Sequence, residues 1–548
     1  MAVSPGQRLS MNLPWLGEPN PHLPPRPLRL ATATGLAGGI AVLIILVLWS
    51  IAAAAGDGGR ASRIDVLHLL RMTTLQAGLS TALSLLVGTG LAWALNRLRF
   101  PGRDLIVALF GSAIVTPGLV VAFGMLAIWG RNGWINQASN ALFGVSIGNP
   151  AFGLSGILFA HVVLNGAFAA RILLARLDSI PTSRLKIGQS LGLSTAQRFA
   201  IIDWPALRGT LPGLAAIIFL LAFTSFPIVL LLGGGPANQT LEVAIYAAVR
   251  QDFDLLGAVR LALTQIAVCS VVILAASALA PVPTSLSISS PPRWHDRTLA
   301  RLAQWVILVA CILGFVLPLA SVLIDGFSAG MPRLLSQPVF WWSSLSSLVI
   351  GAVSALLTLL LALLLALGRS ATPNGVWRTI LGLPAFAYLA VPAVVLSLGF
   401  FLLVRHIGIS PNIAAPYVVI LGNTLLSLPF AMAMLGPPLE AIARTRGKLI
   451  RSLGLSGWRQ FTAVEYPLLA RDTGIALALA FCFSFGDLGV IALFGTQDFQ
   501  TLPLMMFRAI GAYRNNDAAA IAAVLLMGTI IAFIGLPKLV ERIARAAR

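Results

Sequence analysis

The chain has 548 residues, of which 58% are apolar and only 10% are charged, and its mean hydropathy is +0.90. A soluble protein cannot bury so much apolar surface, so the composition excludes a soluble globular fold and predicts an integral membrane protein. The formal net charge of +19 does not indicate a nucleic-acid partner, because the basic residues lie in short segments between apolar runs. The three cysteines have no metal-site spacing, so neither a zinc site nor a disulfide framework is expected.

Residues 1–29 are polar and rich in proline, and they are expected to form a disordered cytoplasmic tail. Each of the apolar stretches that follow is long enough to cross about 30 Å of hydrocarbon as a helix. There are twelve, near 30–55, 72–95, 105–129, 153–175, 210–232, 256–280, 302–324, 344–367, 379–403, 417–438, 474–495 and 518–537. The predicted fold class is therefore an all-α polytopic membrane protein with about twelve transmembrane helices.

The distribution of lysine and arginine predicts the orientation. If the amino terminus is cytoplasmic, the segments on the cytoplasmic side carry 27 of the 37 basic residues. The reverse topology would invert this ratio. We therefore expect both termini to be cytoplasmic.

One segment of the chain occurs twice, as KIGQSLGLSTAQRFAIIDWPAL at 186–207 and as KLIRSLGLSGWRQFTAVEYPLL at 448–469. The two copies are 262 residues apart, with six predicted spans between equivalent points. An even number of spans predicts two parallel six-helix repeats. We place the first at 30–280, with a cytoplasmic loop at 178–208, and the second at 302–548, with a loop at 440–471. Residues 281–301 form a cytoplasmic linker.

Each copy is expected to be a pair of short amphipathic helices joined at a glycine. Gly192 and Gly454 can adopt positive φ and turn the chain, and Ser194 and Ser456 can cap the following helix. The second helix, at 195–202 and 457–464, is expected to end before the proline that follows it.

The repeated loop resembles the cytoplasmic "EAA" loop of ATP-binding-cassette importer permeases, in which Glu-Ala-Ala-x-x-x-Gly is followed by nine variable residues and then by Ile-x-Leu-Pro. The leading Glu-Ala-Ala is replaced here by Lys-Ile-Gly and Lys-Leu-Ile. The resemblance implies that each loop docks into a separate ATPase subunit. The residues expected to take part are Asp178, Lys186, Gly192, Ser194 and Pro205, with Glu440, Lys448, Gly454, Ser456 and Pro467 in the second loop.

From about residue 69 the chain also resembles the fused permeases of bacterial thiamine and thiamine pyrophosphate importers, notably at 156–175, 232–249 and 484–519. This resemblance implies a type I (MetI-like) permease fold in the bacterial inner membrane. It also implies two copies of a cytoplasmic ATPase subunit, a periplasmic substrate-binding protein, and thiamine or its phosphate esters as substrate. Permeases for ferric iron share the twelve-span plan and remain an alternative, as does another small solute.

No nucleotide-binding, metalloprotease or serine-hydrolase motif is present, so we expect no catalytic, cofactor-binding or metal-binding residue. ATP would be bound by the partner subunit. Two further classes remain open: an ion-driven secondary transporter of two six-span halves, and a membrane-embedded enzyme. The secondary transporter does not explain two matched loops, and the missing motifs disfavour the enzyme.

Four polar residues within the spans are candidates for a translocation pathway: Asp487, its repeat partner Ser225, His161 and Asn165. Charged groups are costly inside a membrane, and they commonly mark a passage. The alternative is hydrogen bonding between helices, which is expected especially for His161 and Asn165.

Overall fold

The computed structural model describes residues 26–56, 64–277, 294, 296–328, 330–372 and 375–546, and these ranges contain helices and no β-strand. The predicted all-α fold class is confirmed. Most of the predicted tail at 1–29 and of the predicted linker at 281–301 lies outside the described residues.

The helices of the amino-terminal half are α1 (Pro27–Gly56), α2 (Val66–Arg97), α3 (Arg103–Gly111), α4 (Gly118–Trp129), α5 (Trp134–Phe143), α6 (Leu154–His161), α7 (Ala167–Asp178), α8 (Thr182–Ser190), α9 (Thr195–Arg198), α10 (Trp204–Arg208), α11 (Leu211–Phe223), α12 (Phe226–Leu232), α13 (Leu241–Arg250) and α14 (Leu255–Ser277). The carboxy-terminal half contains α15 (Thr298–Gly326), α16 (Gly330–Leu335), α17 (Pro338–Ala371), α18 (Gly375–Ala387), α19 (Ala393–Ile407), α20 (Pro411–Ser452), α21 (Gly457–Gln460), α22 (Tyr466–Phe485), α23 (Ile491–Phe494), α24 (Leu502–Gly511) and α25 (Asn515–Ala546).

Ten helices within the described ranges are long and apolar enough to cross a membrane, or up to twelve if each of two bent pairs is one span. The bent pairs are Thr195–Arg208 with Leu211–Phe223, at 58°, and Gly375–Ala390 with Ala393–Ile407, at 100°. The outward faces of α1, α15 and α17 carry exposed apolar side chains such as Ile45, Val306 and Leu356, as contact with lipid requires. The chain is a multi-pass membrane protein.

Four of the predicted spans are broken within their length rather than being single straight helices. The breaks lie before α4 at Pro117, before α12 at Ser225, before α19 at Pro392 and after α22 at Gly486. Proline has no backbone N–H and disfavours helix at the preceding residue, which explains the breaks at the two prolines. Backbone freed in this way is tolerated at membrane depth where protein or a cavity surrounds it.

The first helix of each half packs against the other half. Helix α1 contacts α17, α18 and α19, and α15 contacts α2 and α4. A glycine permits each approach: a Cβ on Gly124 would collide with the backbone of Pro318 in α15, and one on Gly399 would collide with Val47 in α1. Small residues commonly allow such close packing between membrane helices. The two halves therefore share an interlocked interface.

Candidate functional site

The first repeated loop contains two short helices joined at a left-handed glycine. Helix α8 ends at Ser190, and Gly192 follows with φ of +65°. The Ser194 side chain accepts a hydrogen bond from the Gln197 backbone N–H, while the Gln197 side chain accepts one from the Ser194 N–H at 2.9 Å. This capping box fixes the start of α9. Lys186 is exposed on α8.

The second loop has the same glycine turn but a different approach and cap. Helix α20 runs without a break from its membrane stretch to Ser452, and Gly454 follows with φ of +61°. Pro181 interrupts the corresponding path in the first half, whereas Ala443 stands at the equivalent position here. Ser456 makes no side-chain cap hydrogen bond, so the predicted serine cap is present in one loop only. Lys448 is exposed, as its counterpart is.

The prediction that the second short helix ends before Pro205 and Pro467 is wrong. In each half the chain passes through a five-residue π-helix, Phe199–Asp203 or Phe461–Glu465, and stays helical beyond the proline. The proline occupies the first turn of the next helix, where its fixed φ is suitable and its missing N–H is least costly. The second loop is therefore continuous with the membrane helix α22, whereas in the first half a bend of 58° separates α10 from α11.

An ion pair joins the start of each loop to α3 in the first half or α18 in the second, the helices that precede the breaks at Pro117 and Pro392. Asp178 lies 3.9 Å from the Arg103 guanidinium, and Glu440 lies 3.8 Å from that of Arg378. Arg103 and Arg378 are 275 residues apart, the same spacing that relates Pro117 to Pro392. Burial lowers the pKa of Arg103, and the nearby Asp178 carboxylate partly opposes this.

Each loop is also tied to the first helix of the opposite half. Glu465 accepts two hydrogen bonds of 2.9 Å from Arg29, near the start of α1. In the first loop, Asp296, just before α15, accepts a hydrogen bond of 2.8 Å from Thr195 and lies 3.6 Å from Arg97. Both contacts are polar, but their charges are reversed. The residue at the first helix of the opposite half is basic in one contact, Arg29 at α1, and acidic in the other, Asp296 at α15.

A cavity of about 240 Å³ lies where the broken helices meet. Its walls include residues 114–118 at the first break, Thr224 and Phe226 at the second, Ala393 at the third and residues 486–489 at the fourth. Both halves therefore contribute to it. Substrate sites in membrane transporters commonly occur at such discontinuous helices, on the interface between repeats.

Asp487 lines this cavity, and Ser225 lies between two residues that do. The Asp487 carboxylate accepts hydrogen bonds of 3.0 Å from the backbone N–H groups of Gly489 and Val490. It therefore caps the turn before α23 and also faces the cavity.

His161 and Asn165 lie apart from the residues that line the cavity. His161 ends α6, is buried, and has its Nδ1 atom 2.8 Å from the Ser80 hydroxyl of α2. Asn165 lies in the π-helix Val162–Gly166 that follows. The Ser80 contact is the kind that links helices inside a bundle.

Glu242 also lines the cavity, and the sequence analysis did not identify it. It is the second residue of α13 and is only 1% exposed. Its position just after a polar segment suggested an outer loop rather than a buried site. The one signal in the sequence is that a lone acid follows a Gln-Thr-Leu string that is repeated at 500–502 without an acid after it.

No protein-family model matches the chain. The thiamine transport system permease protein of Brucella melitensis is 37% identical to it over 506 residues, which cover 91% of the chain and 92% of that protein. The corresponding protein of Escherichia coli strain K12 is 37% identical over 483 residues, or 87% of the chain and 89% of the relative. The chain belongs to the family of thiamine transport system permease proteins. The predicted resemblance is confirmed.

The similarity to iron permeases is much more limited. A ferric transport system permease protein of Haemophilus influenzae is 30% identical over 161 residues, which cover 29% of the chain and 26% of that protein. The match to thiamine transport system permeases instead extends over both halves, including the loops and the cavity. The ferric alternative therefore has much weaker support.

Proposed function

We propose that the chain is the transmembrane permease subunit of an ATP-driven importer that moves thiamine, its phosphate esters or both across the bacterial inner membrane. The observation that carries this proposal is the similarity to thiamine transport system permeases over nine-tenths of the chain. Both termini are cytoplasmic in this proposal, because that orientation places most of the basic residues inside.

Two copies of a separate ATP-binding-cassette subunit dock on the loops 178–208 and 440–471, one on each. The exposed turns at Gly192 and Gly454 support this role, because open space lies beside both glycines. Lys186 and Lys448 contribute exposed positive charge, and Ser194, Ser456, Pro205 and Pro467 belong to the same docking elements. Asp178 and Glu440 hold the loops against neighbouring basic side chains, so that movement of a loop reaches the membrane helices.

Transport follows alternating access. A periplasmic binding protein delivers the substrate to the outer loops, the ATPase subunits close on ATP, and the two halves rock about their shared interface. ATP is bound and hydrolysed on the partner subunits. The chain itself contributes the passage.

The passage runs between the halves through the cavity at the broken helices, with Asp487 and Ser225 beside it. The negative charge of Asp487 attracts the thiazolium cation of thiamine. His161 and Asn165 take the alternative role left open by the sequence, hydrogen bonding between helices, which the contact of His161 with Ser80 favours.

Two measurements test this function. A tagged chain purified in mild detergent should retain an ATPase subunit, which neither a secondary transporter nor an enzyme would do. Cells that lack the chain should lose uptake of labelled thiamine or thiamine pyrophosphate while retaining uptake of ferric iron. Loss of iron uptake with unchanged thiamine uptake would contradict the assigned substrate.

A further inference from the structure

Glu242 is a buried carboxylate with unused hydrogen-bonding capacity. Its Oε2 atom has no hydrogen-bond partner within the described part of the chain. Its Oε1 atom accepts one long hydrogen bond, 3.4 Å, from the Gln265 side chain. Burying a carboxylate without a cation or a full set of donors is unfavourable, so a residue of this kind calls for a missing partner.

The missing partner has room in the cavity that Glu242 lines together with Asp487. Asp487 is held in place by its two backbone hydrogen bonds, so its charge is fixed at the cavity wall. Two carboxylates that share a site repel each other unless one of them takes up a proton or a cation lies between them. None of the described residues that line this cavity is lysine, arginine or histidine. A positively charged ligand would balance the site with both carboxylates ionised.

The repeated architecture does not require either carboxylate. The Gln-Thr-Leu string that precedes Glu242 precedes Pro503 in the second half, and Asp487 corresponds to Ser225 in the first. The two acids therefore come from non-equivalent positions, one in each half, and face the same cavity. An arrangement that breaks the internal symmetry in this way suits one asymmetric ligand at the interface.

Aromatic side chains complete the site. Phe226 from the first half and Phe483 from the second also line the cavity. A cation over an aromatic ring is attracted by its π-electrons, and the attraction is stronger when water is excluded. The cavity thus combines negative charge with flat apolar surfaces.

We propose that Glu242 and Asp487 form one binding site for the ring portion of thiamine, which carries a permanent positive charge on the thiazolium and N–H donors on the aminopyrimidine. The inference rests on the proposed function of the chain. Asp487 provides a fixed negative charge, and the free Oε2 atom of Glu242 accepts a hydrogen bond or contacts the cation. Because the two groups belong to different halves, rocking of the halves separates them and weakens the site.

The test uses the detergent-solubilised complex of permease and ATPase, without the binding protein, and measures equilibrium binding of labelled thiamine. Glu242→Gln keeps the shape and removes the charge, and it should raise Kd about tenfold or more, as expected for loss of a contact to a charged group. Glu242→Asp keeps the charge and should bind more tightly than Glu242→Gln. Glu541→Gln is the matched control, because the ion pair that Glu541 forms within the described residues is a local one, with Arg545 on an exposed turn of α25.

A neutral thiazole analogue of thiamine provides a second measurement that is specific for charge. It should compete poorly in the parent complex, and its disadvantage relative to thiamine should shrink in Glu242→Gln. An unchanged Kd in Glu242→Gln overturns the proposal, as does loss of both Glu242 variants from the membrane, which would assign the residue to helix packing. ATP-driven uptake is measured separately, with the parent and Glu242→Gln complexes reconstituted into proteoliposomes together with the binding protein. Uptake that Glu242→Gln does not change refutes this site alone, whereas absence of thiamine uptake by the parent refutes the proposed function as well.

Discussion

The two left-handed glycines allow docking to be tested separately from folding. Gly192 and Gly454 have φ values of +65° and +61°, and a Cβ at either position would meet no atom of the described chain within 4 Å. A new side chain at either position therefore causes no steric clash within the described chain, and its cost arises from the positive φ of the backbone. A side chain in the left-handed region costs about 1–2 kcal/mol, and asparagine is among the residues that tolerate it best. A change of one or two kcal/mol alters an equilibrium by a factor of about 5–30.

We expect Gly192→Asn and Gly454→Asn to reach the membrane in parental amounts but to lower stimulation of the ATPase by loaded binding protein. Gly192→Asp and Gly454→Asp have the same backbone cost, which corresponds to a factor of about 5–30, and also add a charge to the docking surface, so they should lower stimulation further. The assay is ATP hydrolysis by the assembled complex in lipid nanodiscs, with and without loaded binding protein.

Gly144 offers a matched control for these variants. It is exposed, has φ of +67° and likewise has open space beside it, but it lies in an outer loop by the proposed topology. Gly144→Asp should leave the ATPase stimulation unchanged. If Gly192→Asp and Gly454→Asp also stimulate like the parent, the loops do not dock on the ATPase, and the reasoning from the repeated glycine turn is refuted.

Three further predictions concern the ion pairs, the topology and the cavity. Arg29→Ala removes the main partner of the buried Glu465 carboxylate, so it should lower the free energy of unfolding by about 3 kcal/mol and, with it, the thermal unfolding temperature. Arg29→Lys should lower this temperature less, and an unchanged temperature in Arg29→Ala would contradict a stabilising ion pair. Cysteines placed at Ser194 and Ser456 should both be labelled from the cytoplasm, and labelling from opposite faces would exclude parallel repeats. Asp487→Asn should slow thiamine uptake severalfold with normal protein level and basal ATP hydrolysis, and a collapse in protein level would assign Asp487 to capping alone.

The sequence predicted the features that depend on local chemistry. The positive φ at Gly192 and Gly454 follows from the freedom of glycine at the end of a helix. The apolar stretches follow from the thickness of the bilayer, which any spanning helix must match. The residues of such segments are enough to predict their conformation, because it does not depend on the packing of neighbouring helices.

Features that depend on tertiary packing were not predictable in the same way. The π-helices before Pro205 and Pro467 keep the chain helical where proline usually marks an end, and propensity alone does not indicate them. Pro117 and Pro392 interrupt stretches that were predicted as single spans, and the breaks converge on one cavity only in the folded chain. Glu242 is buried only because the short helix α13 folds back against neighbouring helices.

The most direct test of the central claim is accumulation of labelled thiamine in proteoliposomes that contain this chain, its ATPase subunit and the binding protein. The proposed function predicts accumulation against a gradient that requires ATP, and that stops when either partner is left out. Accumulation driven by an ion gradient without ATP, or no accumulation of thiamine or its phosphate esters in the complete system, would contradict it.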